Sequence, residues 1–218
     1  MSDNSLIAFD LDGTLLDTAQ DFLLAVNILE KKHGVKKSSF QDIRSRVSEG
    51  ALALTKFALN IRNETPGLGE LKDELLNIYF DCCLNKTEPF SGINELLTEL
   101  DKANITWGIV TNKPLKYAEK IVKTKLGTFN YKFLICPDHT NSRKPDPSGL
   151  LLANKITNSK PSSSFYIGDH KTDIEAGINA GMKTIAVSYG YIPVNDSAKK
   201  WGADICVDKP IEILAHIN

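Results

Sequence analysis

Residues 7–18 read IAFDLDGTLLDT. Ile7, Ala8 and Phe9 make a short apolar run suited to a buried strand, which leads straight into Asp10, a second acid at Asp12 and a turn residue at Gly13. Carboxylates at the end of a buried strand lose their hydration, and an isolated charge there is costly unless something pairs with it. The stretch therefore predicts a positive partner beside Asp10 and Asp12.

Working outward, Phe22, Leu23, Val26 and Leu29 recur at helical spacing, and the pattern stops at Gly34, a residue suited to the left-handed position past a helix end. Further helical patterns cover about 40–47, 51–62 and 70–85, broken at Ser48-Glu49-Gly50 and at Thr65-Pro66-Gly67, with no convincing strand between 19 and 88. From Ser91, read as an N-cap, the texture changes. A helical face of Ile93, Leu96, Leu97 and Leu100 precedes an apolar run from Ile105 to Val110, where Trp107 lies. The alternation repeats: helix near 115–125, strand 131–136, helix 147–157, strand 165–168, helix 171–180, strand 184–187. Alternating helices and apolar strands predict an α/β, Rossmann-like parallel sheet covered on both faces. The helical block reads as an inserted α-helical cap, which divides the chain into a core of 1–18 and 89–218 and a cap of 19–88, with hinges near Thr18 and Glu88-Pro89. Trp201 is expected to shield the sheet edge, and Tyr189 and Tyr191 to be core residues.

In open α/β sheets ligands sit outside the carboxyl ends of the strands, so the residues that follow each apolar run should converge. These are Asp10 and Asp12, Thr111 and Asn112, Lys144 in the loop after the third run, and Asp169 and Asp173. Two carboxylates about 4 Å apart repel by roughly 4 kcal/mol at an effective dielectric of 20, which makes the cluster implausible as bare core filling. A hard divalent cation resolves the repulsion, and magnesium is commonly held by one or two carboxylates together with a substrate phosphate. Metal plus Lys144 then forms a positive pocket for an anion. Asp10 is the candidate nucleophile toward phosphorus, giving an aspartyl phosphate. Asp12, two residues along an extended chain, points the same way and can protonate the leaving oxygen and later activate water.

Four stretches, FDLDGTLLDT at 9–18, VTNKP at 110–114, KPDP at 144–147 and GDHKTD at 168–173, resemble in order the signature motifs of the haloacid dehalogenase superfamily. The helical insertion and YGYIP at 189–193 are similar to its phosphoglycolate phosphatase-like branch. The resemblance implies that Asp10 is nucleophile and metal ligand, that Asp12 adds acid/base help and a backbone carbonyl to the metal, and that Asp169 completes direct coordination. Asp173 would bind through water or position Lys144. Thr111 and Asn112 would bond the transferring phosphoryl group, whose charge Lys144 would neutralise. His170 stands where the family often carries Ser, and it is given no catalytic role. In the cap, Ser48-Glu49-Gly50 is similar to a substrate-facing loop, and Arg46, or its neighbour Arg44, is a candidate to hold a substrate carboxylate.

The function expected is a Mg2+-dependent phosphatase of a small phosphorylated metabolite, phosphoglycolate first. Its rivals are a β-phosphoglucomutase-like phosphomutase and a receiver-like phospho-accepting signalling module. Thr14 favours the phosphatase over the mutase, and the chain length, motif order and helical insertion oppose the receiver. The bulk properties agree with a small-molecule enzyme. A chain of 218 residues with 42% hydrophobic and 24% charged residues has the composition of an ordinary globular protein, and a net charge of -1 argues against nucleic acid as a partner. No apolar run suggests a membrane partner, and the polar MSDNS start lacks the look of a secretory signal, so a cytoplasmic monomer or small homo-oligomer is expected. Cys82, Cys83, Cys136 and Cys206 show no C-x-x-C spacing and read as reduced thiols.

Overall fold

The computed structural model describes residues 5–217, so the first four residues of the polar N-terminal stretch lie outside it. The chain forms two compact units, one running to Leu16 and resuming at Pro89, the other covering Asp17–Glu88. The joints fall where β2 (Leu16–Asp17) and β3 (Glu88–Pro89) pair as a two-stranded ladder.

The first unit is built on a six-stranded, Rossmann-like parallel sheet that starts with β1 (Ile7–Phe9). After the helical insertion come α5 (Ile93–Lys102) and β4 (Trp107–Val110), then α6 (Leu115–Lys125), β5 (Leu134–Ile135), α7 (Pro137–Thr140) and α8 (Ser148–Thr157). The unit closes with β6 (Phe165–Gly168), α9 (Lys171–Asn179), β7 (Lys183–Val187) and β8 (Ile205–Val207). The strand order is β5-β4-β1-β6-β7-β8, with Ala8 in register with Gly108 on one side and Tyr166 on the other. The chain thus builds outward from β1 through β4 to β5, then returns to the opposite side at β6. Such a reversal of strand order opens a crevice at the carboxyl ends of β1, β4 and β6. β1, β4 and β6 are wholly buried, which is why they read as unbroken apolar runs instead of alternating ones.

Three expectations change in detail. The strand expected at 131–136 shrinks to Leu134–Ile135, because Tyr131 and Lys132 lie outside the ladder while Lys132 N donates to Trp107 O as the chain approaches β4. Ser91 does not cap α5; Gly92 occupies that position with φ +91° and no side-chain cap. The sixth strand, β8, carries only three residues, too short for an alternation to show. Trp201 packs with Ile174, Ala186 and Ala198, between α9 and the strand next to that edge, and its indole N–H donates to Asp196 at 2.8 Å.

The second unit contains α1 (Ala19–Lys32), α2 (Phe40–Arg44), α3 (Ala51–Ala58) and α4 (Leu68–Cys82). Phe22 of α1 stacks on Tyr79 of α4 with centroids 3.9 Å apart. The helical patterns at 40–47, 51–62 and 70–85 end earlier than their apolar spacing suggests, and Val47–Glu49 forms a separate 3-10 turn. All four cysteines are free thiols. Among the described residues no helix is long and apolar enough to cross a membrane.

Candidate active site

β1 ends at Phe9, and Asp10 N donates to Ile167 O, which carries the backbone of Asp10 alongside β6 before the chain turns. Gly13 makes that turn at φ +87°, and a Cβ on it would lie 2.1 Å from Asp169 Oδ2. Only glycine satisfies both the positive φ and the close approach of a carboxylate. β6 delivers Asp169, and α9 begins two residues later, placing Asp173 in its first turn. Asp10, Asp169 and Asp173 are all buried and each offers an oxygen within 4.8 Å of the others.

Lys144 supplies the positive partner that the opening stretch requires. Its ammonium lies 2.7 Å from Asp10 Oδ1 and 2.6 Å from Asp173 Oδ1, and donates to the Tyr166 hydroxyl at 2.8 Å. Tyr166 in turn donates to Val110 O at 2.8 Å. Burial lowers the Lys144 pKa, but Asp10 and Asp173 together push it above the usual lysine range. For Asp10 burial is the largest influence and raises the pKa, Lys144 pulls it down, Asp173 and Asp12 add to the rise, and the net result is about 7. Asp169 is pushed well above the ordinary carboxylate range by burial first and then by Asp173 and Asp10, against hydrogen bonds from Tyr191 N at 2.7 Å and Thr14 Oγ1 at 3.0 Å.

Three carboxylates facing one ammonium leave negative charge uncompensated when all are ionised. Their donor set is all oxygen, the set a hard divalent cation such as magnesium takes. Gly13 and Gly190 keep the space around Asp169 open, since a Cβ on Gly190 would lie 2.2 Å from Asp169 Cβ. The residues present therefore fit the metal.

The remaining expected residues are placed as follows. Asp12's carboxylate stands outside the three-acid group; it takes the Lys113 ammonium at 2.9 and 3.1 Å. Thr111 is buried directly after β4, and its hydroxyl accepts from Lys113 N. The Asn112 side chain is engaged with the main chain of Lys144, accepting from its N–H at 2.8 Å and donating to its carbonyl at 3.2 Å. The pair binds the loop after β4 to the segment that carries Lys144. His170 caps α9: its ring bonds Thr172 while its N–H donates to Asp173 Oδ2 at 3.0 Å, which orients Asp173. Arg46, Ser48, Glu49 and Gly50 belong to the helical unit. There the Arg46 guanidinium lies 4.1 Å over the Phe57 ring and donates to Asp42 O at 2.8 Å, while Ser48 Oγ is buried without a hydrogen-bond partner.

Lys113, Tyr166 and the main-chain N–H of Tyr191 do not stand out in the sequence. Lys113 sits inside VTNKP, where a lysine before a proline reads equally as a solvated side chain. Tyr166 reads as one more apolar strand residue, and a backbone donor has no sequence signal.

The sequence matches the family model of haloacid dehalogenase-like hydrolases over residues 7–187. The chain is 42% identical over 208 residues to N-acetylmuramic acid 6-phosphate phosphatase of Pseudomonas aeruginosa, covering 95% of this chain and 92% of that protein. It is 33% identical over 208 residues to phosphoglycolate phosphatase of Xanthomonas campestris pv. campestris, covering 95% and 93%. Its fold matches the crystal structure of a predicted phosphoglycolate phosphatase from Haemophilus somnus with a TM-score of 0.89 over 100% of both chains, at 23% identity. The family match, relatives aligned over nearly their whole length and the shared fold together place this chain among the haloacid dehalogenase-like hydrolases.

Proposed function

We propose that the protein is a magnesium-dependent phosphatase that hydrolyses a small phosphate monoester through an aspartyl-phosphate intermediate. The observation that carries the reading is the buried group of Asp10, Asp169 and Asp173 with Lys144 set against two of them. Asp10, Asp169, Asp173 and the backbone carbonyl of Asp12 would hold Mg2+, which supplies charge neutralisation at the transferring phosphoryl group when bound. Asp10 attacks phosphorus, and the leaving alcohol oxygen takes its proton from Asp12. Water then attacks the aspartyl phosphate and gives a proton to Asp12, which releases phosphate and restores Asp10. Lys144 neutralises the equatorial phosphoryl charge, Thr111 hydrogen-bonds it, and Asn112 holds the Lys144 segment in reach.

The two named relatives differ in substrate size, but N-acetylmuramate 6-phosphate and phosphoglycolate both pair a phosphate ester with a carboxylate. A carboxylated phosphate monoester is therefore the substrate class proposed. N-acetylmuramate 6-phosphate is the first to test because the higher identity lies with its phosphatase, and phosphoglycolate is the second.

The test is phosphate release from N-acetylmuramate 6-phosphate, phosphoglycolate and N-acetylglucosamine 6-phosphate, which lacks the lactyl carboxylate. The expected order places one of the carboxylated esters at least about tenfold above the neutral sugar in kcat/KM, a difference of about 1.4 kcal/mol. Turnover that survives a chelator, or that survives Asp10→Asn, rejects the mechanism. Equal rates on all three esters reject the substrate class.

A further inference from the structure

The motif after β4 contains a second buried cation that the mechanism above does not use. Lys113 is 6% exposed, and its ammonium is aimed at Asp12, 2.9 Å from Oδ1 and 3.1 Å from Oδ2. Its main chain is held as tightly: Lys113 N donates to Thr111 Oγ1 at 3.2 Å, and the next residue, Pro114, occupies the N-cap position of α6 with φ -60°. The register explains why this side chain meets Asp12. Ile109 lies beside Phe9 in the parallel ladder, so the segment leaving β4 runs alongside the segment leaving β1. The two buried cations divide the work, Lys144 standing against Asp10 and Asp173 and Lys113 against Asp12.

We propose that Lys113 is a positioning residue that acts through Asp12, holding its carboxylate where it exchanges protons with the leaving alcohol and the attacking water. Asp12 sits on a turn that ends in a glycine at φ +87°, and its side chain is 15% exposed. Carboxylate rotation on such a turn would move the proton-carrying oxygen away from the reacting atoms, and an ammonium bonded to both oxygens resists that rotation. Lys113 differs from Lys144 in that nothing requires it to touch the phosphoryl group. The inference rests on the role given to Asp12 in the proposed function.

The experiment is a double-mutant cycle of Lys113→Met and Asp12→Asn, with p-nitrophenyl phosphate and magnesium and with the fold of each variant checked by circular dichroism. Lys113→Met is expected to lower kcat by about 100-fold, the low end of what a general acid–base group contributes, with KM changed less than about threefold. In the Asp12→Asn background the same substitution is expected to cost less than about threefold, and Lys113→Arg to restore kcat to within about tenfold of the native enzyme. Should Lys113→Met fail to fold, Lys113→Gln takes its place in the cycle. Losses that add across the two positions, or a Lys113→Met variant with native kcat, overturn the proposal and leave the ion pair a tie between two loops. A native enzyme that does not turn over the ester, or an Asp12→Asn variant as active as the native chain, overturns the underlying mechanism and the Lys113 role with it.

Discussion

At the residue scale the site is governed by how much negative charge a buried crevice can hold. Burial lifts the Asp10 carboxyl to about 7 and Asp169 well above the usual range, against unfolded values near 4. A group with a higher folded than unfolded pKa keeps more protons in the folded state between the two values. Its contribution to stability is present in full below about pH 4 and is lost as pH rises through its folded pKa, for Asp10 about 7. In the proposed reading magnesium takes the place of those protons, so it is expected to raise Tm more at pH 8 than at pH 5 in thermal melts of the metal-free protein. A gain that is constant across that range would contradict the charge argument. Space matters as much as charge here. Gly190→Ala puts a methyl group 2.2 Å from Asp169 Cβ and 2.4 Å from the Gly13 carbonyl. Because one of those neighbours is backbone, relief requires Asp169 to move. The expected result is loss of most of the magnesium-induced Tm gain and at least about a tenfold fall in kcat/KM, whereas a variant with native magnesium response would show that Asp169 is dispensable for the metal.

At the scale of the elements, one buried carboxylate organises the helical unit. Asp21, in the first turn of α1, accepts from Lys86 N at 2.9 Å, Thr87 N at 2.9 Å and Thr87 Oγ1 at 2.8 Å. An acid is favoured there by the helix dipole, but its full burial is tolerated because those donors satisfy it. The bonds connect the beginning of the unit to its end, residues 65 and 66 positions apart in the chain. Asp21→Ala leaves those donors unpaired and is expected to cost about 1–3 kcal/mol, a fall in Tm of several degrees for a chain of this size. A Tm within about a degree of native would show that the donors find water. In the same unit, the Arg46 guanidinium is already occupied by Asp42 O and the face of Phe57. Arg46→Ala is expected to raise KM for carboxylated phosphate esters more than for p-nitrophenyl phosphate if that guanidinium also serves substrate. An equal rise for both would assign Arg46 to packing alone.

At the scale of the whole molecule, one long insertion separates the first strand from the rest of its own sheet. β1 lies between β4 and β6, whose residues are about 100 and 158 positions later in the chain. The central strand therefore finds its neighbours only after the helical unit has been passed, and the fold depends on non-local pairing. The same arrangement brings together at one crevice the acids of β1 and of the β6–α9 turn, and the cation that follows α7. Interrupting the sheet after its first strand is tolerated because the joints at Leu16–Asp17 and Glu88–Pro89 are adjacent and hydrogen-bonded as a ladder. Under the proposed mechanism chelation is expected to abolish turnover while leaving far-UV circular dichroism unchanged, because the three acids that would hold the metal form a local charge cluster at the strand ends and the sheet is held by its own ladder. Collapse of the secondary structure on chelation would assign the metal a structural role.

The α/β core was legible in the amino-acid order, because strands buried on both faces read as apolar runs, and the few acids that end those runs stood out there as candidates. That order left open how each polar side chain is used. That Asp12 meets Lys113, that Asn112 supports the main chain of Lys144, and that Tyr166 and the Tyr191 N–H complete the shell around the acids were decided only by the tertiary structure. The physical reason is that residue type and strand-end position are written locally. The partner of a buried charge is chosen by strand register and by the space that glycine leaves, and neither exists until the sheet has formed.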